Sequence, residues 1–124
     1  MTDAMIARIA EALSAVRMPA QPEEYDIHAE IARALEAAGI AYEHEYRLAP
    51  RCRIDFKVGR VGIEVKKGRP ASAGLTKQLR RYLASDALDA VVVVTQRVTR
   101  LPERIDGKGV YIISLNRLWG VALP

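Results

Sequence analysis

The stretch RIDFKVGRVGIEVKKG, residues 53–68, decides how the rest of the chain is read. Ile54, Phe56 and Val58 alternate with Arg53, Asp55 and Lys57, and Val61, Ile63 and Val65 alternate with Gly62, Glu64 and Lys66. Such period-two alternation on both sides of a break marks two half-buried strands. Gly59-Arg60 suits a two-residue loop between them, because Gly59 tolerates the positive φ that such loops require. Val58 then pairs with Val61, and counting outward sets Asp55 opposite Glu64 and Arg53 opposite Lys66. One face is expected to be wholly apolar and the other to carry every charge. Opposed residues stand about 5 Å apart at Cβ, and like charges there destabilise the pair. A positive group is needed between the two acids. A hard divalent cation would serve, since Mg²⁺ is held through one or two carboxylates and keeps several waters.

Working outward, Ile6, Ile9, Leu13 and Val16 recur at three- and four-residue spacing and predict an amphipathic helix over residues 3–16, ending before Pro19 and Pro22. The connector MPAQPEE leads into a second helix, 23–38, with Ile27, Ile31, Ala34, Leu35 and Ala38 on one face and Gly39 as its stop. Residues 41–48 read as a strand. Beyond the hairpin, Gly68 and Pro70 break the chain before a helix over 72–84, whose apolar stripe is Leu75, Leu79, Tyr82 and Leu83. The run DAVVVVT, 89–95, has the β-branched composition of a strand buried on both faces. Strand 61–66, the helix and this strand form a right-handed βαβ crossover. A final strand is expected over 110–115. The order α, α, β, β, β, α, β, β gives one α/β domain with a mixed central sheet flanked by helices, residues 1–22 being its N-terminal helix and connector and 23–124 its body.

Composition narrows the function classes. The 124 residues are half hydrophobic and about a quarter charged, as in an ordinary soluble globule. The net charge of +4 and a pI near 9.5 favour a polyanionic partner. Cys52 is the only cysteine, so one chain can form neither a disulfide nor a four-cysteine zinc or iron–sulfur site. With only His28 and His44, a histidine-rich metal site is disfavoured. The apolar run Ala90–Val94 is far too short to cross a bilayer, and the N-terminus lacks a signal peptide's apolar core, so an intracellular, non-membrane protein is expected.

Glu64-Val65-Lys66 places a carboxylate and an ammonium two residues apart on one face of a strand, with Asp55 across from the first. Phosphodiester hydrolysis uses both parts: a metal site to activate water and offset phosphate charge, and a cation to orient the water or stabilise the transition state. Asp55, the eight-residue gap and Glu64-Val65-Lys66, set between apolar strand residues and followed by a basic helix, resemble the PD-(D/E)XK nuclease superfamily. Gln78 and Tyr82, four residues apart in KQLRRY, are similar to the spacing in its RecB-like members; the proline that often precedes the aspartate is Ile54 here.

The resemblance implies a restriction-endonuclease-like αβββαβ core and a Mg²⁺-dependent DNA endonuclease, with Mn²⁺ as a substitute. Asp55, Glu64 and the Val65 carbonyl would be metal ligands, and Lys66 would position the attacking water. Glu30, on the preceding helix, would serve a second metal or its water, with Glu23 and Glu24 as competitors. Gln78 would hold the lysine or a substrate phosphate. Arg53, Lys67, Arg69, Lys77 and Arg81 are candidates for the DNA backbone. Small junction-resolving members act as dimers, so a homodimer, through the N-terminal helix, is a further expectation. The alternative is a nuclease-like module that holds nucleic acid within a larger assembly without cutting it.

Each residue also has a plainer reading. Asp55 and Glu64 could lie on a solvated face neutralised by Arg53, Lys57 and Lys66. Glu30 could pair with Arg33, Tyr82 could be a core residue, and the basic residues of the third helix could be a solvated face. His28 and His44 read as structural or exposed, Trp119 as a packing anchor, and Cys52 as an inert thiol.

Overall fold

The computed structural model describes residues 2–16, 23–97 and 99–115. It is an α/β fold in which helices α1 (Thr2–Leu13), α2 (Glu24–Ala37) and α3 (Ser72–Leu83) flank strands β1 (Glu43–Ala49), β2 (Cys52–Val58), β3 (Val61–Lys66), β4 (Ala90–Thr95), β5 (Arg104–Ile105) and β6 (Lys108–Ser114). The six-stranded sheet runs β1-β2-β3-β4-β6-β5. The first three strands are antiparallel, β4 is parallel to both β3 and β6, and β5 folds back antiparallel on β6.

The valine run explains the layering. Successive side chains of a strand point to opposite faces. Val92 and Val94 accordingly join a core with Ile9 and Leu13 of α1 and Ile27, Ile31 and Leu35 of α2. Val91 and Val93 join a second core with Leu75, Leu79, Tyr82 and Leu83 of α3. Every residue of β4 is buried, as a strand covered by helices on both faces must be. The stripe of α1 is spent on α2 and the sheet, so a dimer through this helix would have to use its other face.

The tight hairpin forms as expected: Val58 pairs with Val61, Lys57 with Gly62 and Phe56 with Ile63, and Gly59 takes φ +58°. The expected division into an apolar and a charged face does not hold. Phe56 and Val58 pack towards α1 and α2, whereas Cys52 and Ile54 of the same strand pack towards α3. The neighbouring strand is irregular at the same level, where Glu45 adopts φ +54°. The β1–β2 ladder pairs His44 with Phe56 and Tyr46 with Ile54 on either side of Glu45 and Asp55. The alternation therefore reverses at that point. Gly62 answers the reversal, because a Cβ there would stand 2.4 Å from Ile54 Cδ1.

Other differences are small. Ala38, expected on the buried face of the second helix, is exposed just beyond its end. The two-residue β5 was missed, although Asp106-Gly107 is a standard hairpin signal and both residues have positive φ. The connector over 17–22 and Trp119 lie outside the described residues.

Candidate active site at the β2–β3 fork

The two hairpin strands part beyond the Phe56–Ile63 pair. At this fork Asp55 Oδ2 accepts the Val65 backbone N–H at 2.7 Å. The carboxylate thus takes the place of a backbone acceptor on β2 and props the strands apart. Its other neighbours come from both layers. His28 of α2 brings Nε2 to 3.6 Å from Oδ2, while Glu64 and Tyr82, on the α3 side, feel the Asp55 charge. Asp55 therefore sits at the level of the sheet, between its faces.

Glu64 is the least expected group chemically. α3 covers the side of β3 that carries it and leaves the residue 3 % exposed, so it does not lie on a solvated face. Its Oε2 stands 3.3 Å from Lys66 Nζ, whereas Oε1 is buried without a hydrogen-bond partner. The Tyr82 hydroxyl approaches the same carboxylate, lowering its pKa, without closing a bond that satisfies Oε1. Burial and then the Asp55 charge push the Glu64 carboxyl from 4.5 up to about 7, against the opposing pull of Lys66 and Tyr82. The Tyr82 hydroxyl is driven well above its usual range, chiefly by its own burial and then by Glu64. It accepts a hydrogen bond from Gln78 Nε2 at 2.9 Å, so the Gln78–Tyr82 pair backs the carboxylate across one turn of α3.

The remaining candidates are distributed around this centre. Glu30 forms an ion pair with Arg33 along α2. Glu23 reaches Lys67 Nζ at 3.4 Å, and the Glu24 side chain lies outside the described residues. Arg53 pairs with Glu45 at 3.0 Å, and Arg81 donates to the Arg51 carbonyl at 3.0 Å. Arg69 and Lys77 are exposed and make no ion pair among the described residues. Arg69 and Arg100 line a cleft of about 690 Å³ between the loops that follow β3 and β4, floored by Pro70, Leu101 and Ile112. Those loops are tied together by Gly68 N–H donating to Gln96 Oε1 at 2.6 Å and Thr99 Oγ1 donating to the Pro70 carbonyl at 3.1 Å.

Sequence reasoning placed Asp55, Glu64 and Lys66 together but missed His28, which read as a structural histidine. No spacing rule connects His28 on α2 to Asp55, 27 positions later on β2; only the packing of α2 on the sheet does. Among the described residues no three His, Cys, Asp or Glu side chains converge closely enough to hold a metal ion by themselves. The donors at the fork are Asp55 and Glu64, with His28 beside Asp55. Two carboxylates are sufficient for Mg²⁺, which completes its shell with water. The orphaned Oε1 of Glu64 and the adjacent like charge both fit a cation there. No helix among the described residues is long and apolar enough to cross a membrane. No protein-family model, curated protein or solved structure matches the chain.

Proposed function

We propose that the chain is a metal-dependent deoxyribonuclease of the PD-(D/E)XK type, with a restriction-endonuclease-like core and its active site at the β2–β3 fork. The observation that carries this reading is Glu64: a carboxylate 3 % exposed, beside a second acid, with one oxygen unpartnered and a lysine 3.3 Å from the other. Burying a carboxylate with one oxygen unsatisfied is costly, and such perturbed groups concentrate where chemistry is done.

Asp55, Glu64 and the Val65 carbonyl would hold Mg²⁺ or Mn²⁺, with His28 a further donor and Glu30 available only after release from Arg33. Bound there, the cation would supply Lewis acidity for phosphodiester hydrolysis. The chain's own residues do the rest. Val65 N–H fixes the Asp55 carboxylate, and Gln78 and Tyr82 back Glu64. Lys66, partly exposed at the mouth of the fork, orients the attacking water and offsets charge on the phosphate. Arg69, Arg100 and Lys77 are open to a DNA backbone, whereas Lys67, Arg53 and Arg81 would first leave their internal partners.

Incubation with supercoiled plasmid, a branched duplex and single-stranded DNA, with Mg²⁺, Mn²⁺ or EDTA, tests the reading. Cleavage is expected with either metal, none with EDTA, and none from Asp55→Asn or Lys66→Ala. The alternative is a nuclease-like module that holds nucleic acid without cutting it. Folded protein that retains DNA at low salt but cleaves no substrate with either metal would establish that alternative.

A further inference from the structure

Among the described residues Tyr25 is the one large hydrophobic side chain left in solvent, 81 % exposed. It stands in the first turn of α2, and its neighbours fix where that turn lies. Two residues before it, Glu23 Oε2 reaches Nζ of Lys67, the residue that follows β3, at 3.4 Å. Three residues after it, His28 Nε2 approaches Asp55 Oδ2 of β2 at 3.6 Å. Residues three apart share one side of a helix, so Tyr25 lies on the side of α2 that meets the fork, about 4.5 Å further along the axis than His28. β2 and β3 part beyond the Phe56–Ile63 pair and open towards Lys66 and Lys67. Tyr25 therefore stands at the open end of the fork, where both lysines emerge.

We propose that Tyr25 is a stacking platform for an unpaired nucleobase, so that the fork takes single-stranded DNA in preference to intact duplex. The inference rests on the reading of the fork as a DNA-cleaving site. A tyrosine offers a flat apolar face with few rotamers to freeze. Every base has a π-face, and stacking one on an aromatic side chain strengthens single-strand binding whatever the sequence. Bases within a duplex are covered on both faces by their neighbours, so a ring on a helix surface can stack only on a base that has left the duplex. Charge decides which part of the strand meets the ring. Glu23 and Asp26, linked at the start of α2 by Asp26 Oδ2 accepting the Glu23 N–H at 2.9 Å, repel a phosphate there, whereas Lys66 and Lys67 attract one. The backbone then follows the lysines, with a base turned onto Tyr25.

Fluorescence anisotropy at low salt tests this without a cleavage step, with EDTA or with Ca²⁺ in place of Mg²⁺. The probe is a labelled oligothymidylate of about 12 nucleotides, the scale of single-strand sites. Tyr25→Ala should bind it roughly 5- to 150-fold more weakly, the span for one stacked base, while Tyr25→Phe and Tyr25→Trp bind close to wild type. An abasic strand and a blunt duplex of the same length should not distinguish Tyr25→Ala from wild type, and wild type should prefer oligothymidylate to the duplex. Equal affinity of wild type and Tyr25→Ala for oligothymidylate overturns the inference. So does an equal loss on the abasic strand, which would mark a structural role, or a wild type that binds the duplex as tightly as the single strand. Loss of a wild-type dimer in Tyr25→Ala, with DNA affinity unchanged, would instead assign the ring to a contact between copies. Wild-type protein that binds none of the three probes overturns the reading of the fork as a DNA site as well.

Discussion

The β2–β3 hairpin presents charge at both ends, and the two ends are built on opposite terms. At the loop end Arg60 meets Asp89, with Nε to Oδ2 at 2.8 Å and Nη2 to Oδ1 at 3.1 Å, both side chains about half exposed. Asp89 N–H also donates to the Arg60 carbonyl at 2.7 Å. Opposite charges meet there with every partner supplied and little desolvation. At the fork end an acid faces an acid, one of them buried with an oxygen unsatisfied. A sheet gains nothing in stability from the second arrangement, and hydrophobic residues of similar size would have served it better. The loop end closes the fold, whereas the fork end leaves a buried acid beside a second acid with one oxygen unsatisfied.

The sharpest way to break that comparison is Glu64→Gln. If the fork trades stability for function, cleavage should fall by roughly 10³-fold, the scale of removing one charge-stabilising group. In the same variant the metal-free protein should become more stable at pH 8. Because the Glu64 pKa is raised from 4.5 to about 7, the folded state holds its proton over a range where the unfolded chain has released it. Stability should therefore decline as pH rises from 4.5 to 7, by on the order of 3 kcal/mol, and level off above that. Urea unfolding of wild type and Glu64→Gln across this range checks it, the difference between them growing through that window. Equal stabilities at pH 5 and pH 8 would mean that the fork carries no such cost.

A smaller effect is expected from Tyr82→Phe. The hydroxyl lowers the Glu64 pKa, so its loss should move the midpoint of that decline to higher pH while the core packing of the ring is kept. Gln78, deprived of its acceptor, should also make cleavage weaker but not abolish it. The smallest effect belongs to the other end. Arg60 lowers the Asp89 pKa, so the pair contributes above the ordinary carboxylate range and its contribution fades as pH falls through the depressed value. Asp89→Asn should lower Tm slightly at pH 7, leave cleavage unchanged, and match wild type in strongly acid solution. A large loss of activity from this substitution would erase the distinction between the two ends.

The sequence carried much of this architecture because its signals are local. Alternation around Gly59-Arg60 set the hairpin and its register, three- and four-residue spacing set the helices, and the valine run set a strand covered on both faces. Counting outward from the turn set Asp55 opposite Glu64 and Arg53 opposite Lys66, but the ladder ends at Phe56–Ile63, so neither of those pairs forms, and Asp55 meets β3 through the Val65 N–H instead. The reversal was not legible in this way: nothing in the strand pattern warns that Glu45 takes a positive φ, or that Ile54 and Phe56 pack into opposite cores.

What the chain determined by itself is therefore which charges share a hairpin, since backbone pairing is fixed by neighbours a few residues away. Only the tertiary structure decided what those charges experience. The packing of α3 buried Glu64 and raised its pKa, and the packing of α2 delivered His28 to Asp55 while Glu30 turned to Arg33. Desolvation and contact between distant segments depend on how whole layers stack, and no spacing along the chain encodes that.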